Sequence, residues 1–294
     1  MRHLFILNPI AGKGKTLKLI PDIHDYFRDS GKEYIIETTE YPGHATEIAS
    51  RYSTRENYNI FSIGGDGTLN EVLNGMAGSG SSLAAIPAGS GNDFIKSIIG
   101  SRPLKDMIKS VVEGRERQID LARVNDKYFI NITSLGFDAQ VVQKTLNFKK
   151  LPLISGKLAY MLGIITSVMK CENHYMEIVI DGSPIKTKAL LIAIGNGKYY
   201  GGGMMALPEA EIDDGLLEIC LVEEKKRLDI LHLFPRYMKG LHGSIPGVHF
   251  YRGTHIAITT EQPAPMNLDG ELLVVEKASF EIIKGGLRFI APIL

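Results

Sequence analysis

Ile63-Gly64-Gly65-Asp66-Gly67-Thr68-Leu69-Asn70-Glu71-Val72 decides how this chain is read. An apolar run meets three glycines set around one acid, and Thr68 then stands where it can cap a helix. A plain strand-to-helix turn needs one glycine, so Gly64, Gly65 and Gly67 together point to a backbone that comes close to a phosphate. A lone carboxylate would repel that phosphate, so Asp66 is expected to act through Mg²⁺, directly or by a water.

Ile86-Pro87-Ala88-Gly89-Ser90-Gly91-Asn92-Asp93-Phe94 repeats the pattern after another apolar run. Ser90 can donate to a phosphate oxygen, and Asp93 adds a second carboxylate. Ligands of open parallel sheets bind at the carboxyl ends of the strands, so both loops are expected to line one crevice. Pro9-Ile10-Ala11-Gly12-Lys13-Gly14-Lys15-Thr16 comes close to a GxxxxGK[ST] phosphate loop, but Pro9 stands where the first glycine belongs. That glycine makes the turn that wraps the phosphates, and proline also lacks an N–H, which speaks against a P-loop NTPase. A glycine-rich turn into a helix still offers backbone donors to phosphate.

Working outward, residues 4–7, 34–37, 60–63 and 83–86 read as strands, with helices over 16–29, 45–52, 69–76, 93–99 and 104–113. The alternation predicts a parallel sheet with helical crossovers. From residue 119 the pattern changes to β-forming runs at 128–132, 176–180, 189–194, 216–222, 255–259, 272–275 and 279–283, which predicts an antiparallel sandwich. Asp181-Gly182 signals a hairpin, and helical patterns interrupt at 156–170 and 228–241. The expected division is an α/β nucleotide-binding domain over 1–120, rejoined by the last strand at about 285–294, and a β-sandwich domain over 121–284.

Composition fits this. The chain has 294 residues, 44% hydrophobic and 22% charged, which excludes disordered and collagen-like classes. Lys plus Arg and Asp plus Glu are 33 each, so no global field recruits nucleic acid. Cys171 and Cys220 show neither disulfide nor zinc spacing. With too few apolar residues before Asn8-Pro9 for a signal-peptide core, a cytosolic location is expected.

Taken jointly, these segments resemble the diacylglycerol kinase catalytic-domain family, including soluble bacterial lipid kinases and the related sphingosine and ceramide kinases. The likeness runs through Asn8-Pro9 with Gly12, Thr39 with Gly43-His44-Ala45, the 64–72 run and Pro87 to Asp93. It continues through Ser134-Leu135-Gly136-Phe137-Asp138, Asp213-Asp214-Gly215-Leu216 and Asp269-Gly270-Glu271. The resemblance implies that Asn8, Pro9, Ile10, Ala11, Gly12, Thr39, Gly64, Gly65, Asp66, Gly67, Thr68, Leu69, Asn70 and Ser90 surround ATP. It also implies that Asp66 and Asp93 organise Mg²⁺ and that Glu271, with Asp269 as the alternative, takes the proton from a lipid hydroxyl. A second, structural metal would sit at Glu211, Asp214 and Leu216. Read alone, Asp269-Gly270-Glu271 is only a tight turn.

The implied fold is an N-terminal α/β domain like that of NAD kinase or phosphofructokinase, followed by the β-sandwich. The expected function is Mg²⁺- and ATP-dependent phosphorylation of a lipid alcohol; a NAD kinase-like phosphotransferase and a non-catalytic nucleotide- or lipid-binding regulator are the alternatives. Expected partners are a lipid at the inner membrane face and no nucleic acid, with a homodimer compatible. Between Asp138 and Glu172 there is no acid, while Lys144, Lys149, Lys150, Lys157 and Lys170 flank Leu151, Leu153, Ile154, Leu158, Met161, Leu162, Ile164 and Ile165. That segment is expected either to lie in a membrane interface or to form an ordinary core helix.

Overall fold

Four apolar runs near the N-terminus form β1 (Arg2–Leu7), β2 (Tyr34–Thr38), β3 (Tyr58–Gly64) and β4 (Ser82–Pro87), parallel in the order β2-β1-β3-β4. The computed structural model describes residues 2–28, 30–89, 91–100, 106–149, 156–169 and 172–293, with residues 146, 149 and 156–161 as backbone only. Side chains alternate across a strand, so Leu4 and Ile6 enter one core and Phe5 and Leu7 the other. The first core is closed by α2 (His44–Ser53), α3 (Asp66–Met76) and α4 (Asp93–Ile99) through Ile48, Leu69, Val72 and Phe94. The second is closed by α1 (Leu19–Arg28) and α5 (Met107–Val112) through Ile23, Phe27, Ile108 and Val111. With both faces covered, a near-continuous apolar strand is what parallel pairing requires.

The second half adds β5 (Arg115–Val124), β6 (Lys127–Phe129), β7 (Ile132–Gly136), β8 (His174–Ile180), β9 (Ser183–Gly195) and a short hairpin of β10 (Tyr199–Tyr200) and β11 (Met204–Met205). There follow β12 (Leu217–Glu223), β13 (Val248–Gly253), β14 (His255–Leu268) and β15 (Glu271–Ala291). The long strands β9 and β14 each pair with β8 over one half and with β7 over the other. They therefore belong to two layers, which fold over a shared core of Phe129, Leu135, Ile178, Ile194, Ile219, Ile256, Met266 and Phe280. Asp181 and Gly182 join β8 to β9 with φ of 45° and 85°, the positive values that the sequence signals there. Three helices cover one end: α6 (Phe137–Lys149), α7 (Gly156–Met169) and α8 (Arg227–Met238).

β15 does what no short-window reading foresees. The runs at 272–275 and 279–283 are one strand of 21 residues, which pairs with β14, then β5, and at Phe289 lies parallel to Leu83 of β4. One continuous sheet of 13 strands thereby crosses both halves. The run at 128–132 divides between β6 and β7, and α6 arises where no helix was expected. Cys220 is buried and free; Cys171 lies outside the described residues, as do Ser90, Lys150, Leu151, Leu153, Ile154 and Lys170, and the side chains of Lys149, Lys157, Leu158 and Met161. Among the described residues no helix is long and apolar enough to cross a membrane.

Candidate functional site

The loops that leave β1, β3 and β4 meet at the carboxyl edge of the parallel sheet. Gly64 O accepts from both Ala88 N and Gly89 N at 2.9 Å, so the two glycine-rich turns are stitched together. Their glycines are required by contact: a Cβ on Gly89 would collide with Gly65 Cα, and one on Gly12 with the carbonyl oxygen of Ala88. Gly12, Lys13 and Gly14 have φ of 58°, 61° and 80°, a left-handed run unlike a helix start, in keeping with the departure at Pro9. Asn8 Nδ2 donates to Thr68 Oγ1 at 3.1 Å, Asn8 Oδ1 accepts from Ile10 N at 3.1 Å, and Thr39 N donates to Leu7 O at 2.9 Å. Thr39 is buried.

At the start of α3 the cap position belongs to Gly65, which carries no side chain to bond the first-turn amides. Thr68 was expected to cap; it lies three residues inside the helix, and its hydroxyl faces Asn8 instead. The open amides and the helix dipole are left for an anion. Gly67 meets nothing within 4 Å of where its Cβ would stand, so space lies beside it. Leu69 packs in the core at 4% exposure and also borders the small space between Gly64, Gly65, Asp66 and Pro87, at the floor of the crevice. Ile10 is 82% exposed.

Asp66 does more than the sequence shows. Its Oδ1 accepts from Asp93 N at 2.7 Å and Phe94 N at 3.2 Å, so it caps α4 across the gap between turns. Burial, and then the nearby Asp93 charge, raises its pKa above the ordinary carboxylate value. Asp93 is held by Lys96 Nζ at 2.8 Å and Gly202 N at 2.7 Å. A Cβ on Gly91 would lie 2.8 Å from Asp66 Oδ2 and 3.3 Å from Asp93 Oδ2, so both oxygens border one small space. Among the described residues no three His, Cys, Asp or Glu side chains converge. Mg²⁺ commonly takes only one or two carboxylates and completes its shell with phosphate oxygens and water. Two carboxylates that repel across a shared space beside a phosphate cradle fit it.

The Asp-Gly-Glu turn is pinned to the same helix. Asp269 Oδ2 accepts from Asn70 Nδ2 at 3.0 Å and Ile130 N at 3.2 Å, while Oδ1 accepts from Ile132 N at 3.1 Å. Asn70, expected beside ATP, thus spends its amide on the Asp-Gly-Glu turn and on Tyr128 O. Burial pushes the Asp269 carboxyl up to about 6, with the Asp66 charge a lesser cause. Glu271 differs: it is 54% exposed, and both of its oxygens rest on Lys127 Nζ at 2.8 Å. Of the two candidates for proton acceptor, Asp269 is committed to holding the turn and Glu271 is accessible.

The Glu211, Asp214 and Leu216 loop looks different. Glu211 is exposed, Asp214 Oδ1 accepts from Leu216 N at 2.9 Å, and Lys284 Nζ donates to Asp214 O at 3.3 Å. Glu211 and Leu216 are expected to serve such a metal mainly by their carbonyl oxygens, a donor type that suits a hard cation, so the exposed Glu211 side chain does not decide the matter and the site rests on the resemblance alone. Beside it stands a residue that sequence reasoning missed. Asp120, fully buried, accepts from Gly215 N at 2.6 Å and Gly285 N at 2.7 Å, tying that loop to the bend of β15. Gly201, Gly202 and Gly203 were also missed; three successive glycines with φ of 60°, 90° and 111° shape the loop whose amide holds Asp93.

The family model for the diacylglycerol kinase catalytic domain matches residues 2–124, and that for the YegS C-terminal NAD kinase beta sandwich-like domain matches 131–291. A diacylglycerol kinase of Staphylococcus saprophyticus is 31% identical over 92% of this chain and 88% of its own length. One from Staphylococcus aureus is 30% identical over 99% of this chain and 92% of its own. A crystal structure of a candidate diacylglycerol kinase from Bacillus anthracis superposes with a TM-score of 0.79 at 27% identity, covering 99% of this chain and 96% of that one.

Proposed function

This chain belongs to the diacylglycerol kinase family and is a lipid kinase, and from that premise we propose that it phosphorylates a diacylglycerol-like alcohol with Mg²⁺ and ATP. The observation that carries the reading is the link from Asn70 to Asp269. Asn70 lies four residues after Asp66, about 6 Å along the helix axis, so the turn that presents Glu271 is fastened one helical turn from the phosphate cradle.

The backbone of residues 64–68 and 87–89, with Asn8 and Gly12 against it, would hold the triphosphate. Asp66 and Asp93 would hold Mg²⁺, which when bound neutralises charge on the phosphate oxygens. Asp269 anchors the turn, and the Glu271 carboxylate would receive the proton of the lipid hydroxyl as its oxygen bonds to the γ-phosphorus and the bond from that phosphorus to the bridging oxygen breaks, ADP leaving with the electron pair. Lys127 keeps that carboxylate in one orientation until the alcohol takes its place. Transfer of this kind asks for positioning and charge neutralisation more than covalent help. For the acyl part, the reading would use the mainly apolar cavity beneath α8, where Val141, Leu190, Leu191, Ile230, Leu233 and Phe234 share the wall with Asp138, Tyr200 and Tyr237. The test is labelled ATP with diacylglycerol in mixed micelles, a cell lipid extract and NAD in parallel. Label on the lipid is expected; label on NAD alone, or ATP turnover with no labelled acceptor, would overturn the reading.

A further inference from the structure

α8 carries apolar residues on two opposite sides, and only one side is covered. Ile230, Leu233 and Tyr237 point inward and are buried, with Phe234 beside them at the cavity. Leu228, Leu231, Pro235 and Met238 recur at intervals of three and four residues, a second stripe along the helix. Leu228 is 72% exposed, Leu231 53% and Met238 43%, and Leu241 just past the helix is 62% exposed. α7 packs against α8 and contributes Ile165 and Met169, also exposed. An exposed apolar stripe of this sort marks an interaction site.

Charge identifies what would cover it. The chain as a whole is neutral, yet residues 225–241 hold Lys225, Lys226, Arg227, Arg236 and Lys239 against the single acid Asp229. That acid is occupied, accepting from Lys226 N at 3.3 Å to close the first turn. No ion pair among the described residues involves Lys226, Arg227, Arg236 or Lys239. An apolar stripe bordered by unopposed cations is the composition that lies in an anionic lipid interface, where the stripe enters the acyl boundary and the cations meet headgroups.

We infer that the outer stripe of α8, with the exposed end of α7, is the surface by which this chain docks on an anionic bilayer. The docked helix would lie between the membrane and the apolar cavity, so a lipid could leave one for the other without crossing water. The inference rests on the lipid-kinase reading for its purpose, but the binding itself does not.

Co-sedimentation with phosphatidylcholine vesicles containing increasing phosphatidylglycerol tests it, without ATP. Binding should rise with the anionic fraction and weaken with salt. Leu228→Glu with Leu231→Glu should reduce it at least tenfold, and Lys226→Glu with Lys239→Glu should reduce it severalfold at low salt. Both double variants should keep parental turnover on detergent-dispersed diacylglycerol, which separates failed docking from a failed kinase reading. Parental vesicle binding by both variants would overturn the inference. So would a dimer in light scattering that the leucine variant dissolves, since the stripe would then be a contact between copies. If the leucine variant loses its melting transition, the lysine variant, altered only at exposed charges, decides.

Discussion

Under the proposed function, the glycine-lined crevice and the end beneath α8 would recognise their ligands by opposite means. In the crevice, backbone meets backbone: Gly65 against Gly89, Gly12 against Ala88, amides of α4 on Asp66. Beneath α8, mainly apolar side chains line a cavity, with Asp138, Tyr200 and Tyr237, joined by hydrogen bonds among themselves, on its wall. A triphosphate has fixed shape and charge, so fixed dipoles suit it, and their cost is a strict demand for glycine. An acyl chain is flexible and neutral, so volume matters more than residue identity.

The largest test of that contrast falls between the two regions. Glu271→Gln should cut lipid phosphorylation by about two to four orders of magnitude, the usual range for one general base, with nucleotide affinity nearly unchanged. Stopped-turnover assays beside nucleotide titration check it, and a loss below tenfold would take the role from Glu271. Gly89→Ala comes next. Its methyl meets the Gly65 backbone, which cannot rotate away as a side chain could, so nucleotide affinity should fall at least tenfold. Leu233→Met beneath α8, a swap of similar volume, should cost under about 1.5 kcal/mol in urea unfolding and leave nucleotide affinity alone. Equal sensitivity of the two sites would break the contrast.

Asp269 sharpens it further through pH. Its folded pKa of about 6 lies above the ordinary 3.8, so the folded state binds the proton more tightly than the unfolded chain. The associated stability is present below about pH 4 and lost as pH rises through 6, by at most about 3 kcal/mol at 1.36 kcal/mol per unit. Asp269→Asn should remove that part of the slope in denaturation series between pH 4.5 and 7.5. An unchanged slope would place the carboxyl in a more solvated setting. The smallest effect concerns the cap of α4. Asp66→Ala should lower stability by about 1 kcal/mol through loss of two amide contacts, whereas Asp66→Asn keeps an acceptor oxygen and should melt near the parent while losing more than a tenfold factor in turnover.

The same contrast explains what could be read from residues alone. The strands and glycine turns of the first half are local: each run is apolar for its own length, and the glycines after β3 and β4 announce a close approach of backbone. Roles fixed by distant partners are not. Thr68 looks like a cap until Asn8 faces it, and Asp120 sits in an unremarked strand until Gly215 and Gly285 bond to it. The length of β15 escaped notice because its exposed polar residues between 275 and 286 break the apolar pattern that signals a strand.

That strand also orders events in time. Leu83 of β4 is synthesised about 200 residues before Phe289, the residue that pairs beside it. At about 5–20 residues per second, the nascent first half waits roughly 10–40 s with that edge of β4 unpaired. Throughout that interval the edge is open to pairing with other nascent chains, so the half translated first depends on the strand translated near the end for its protection.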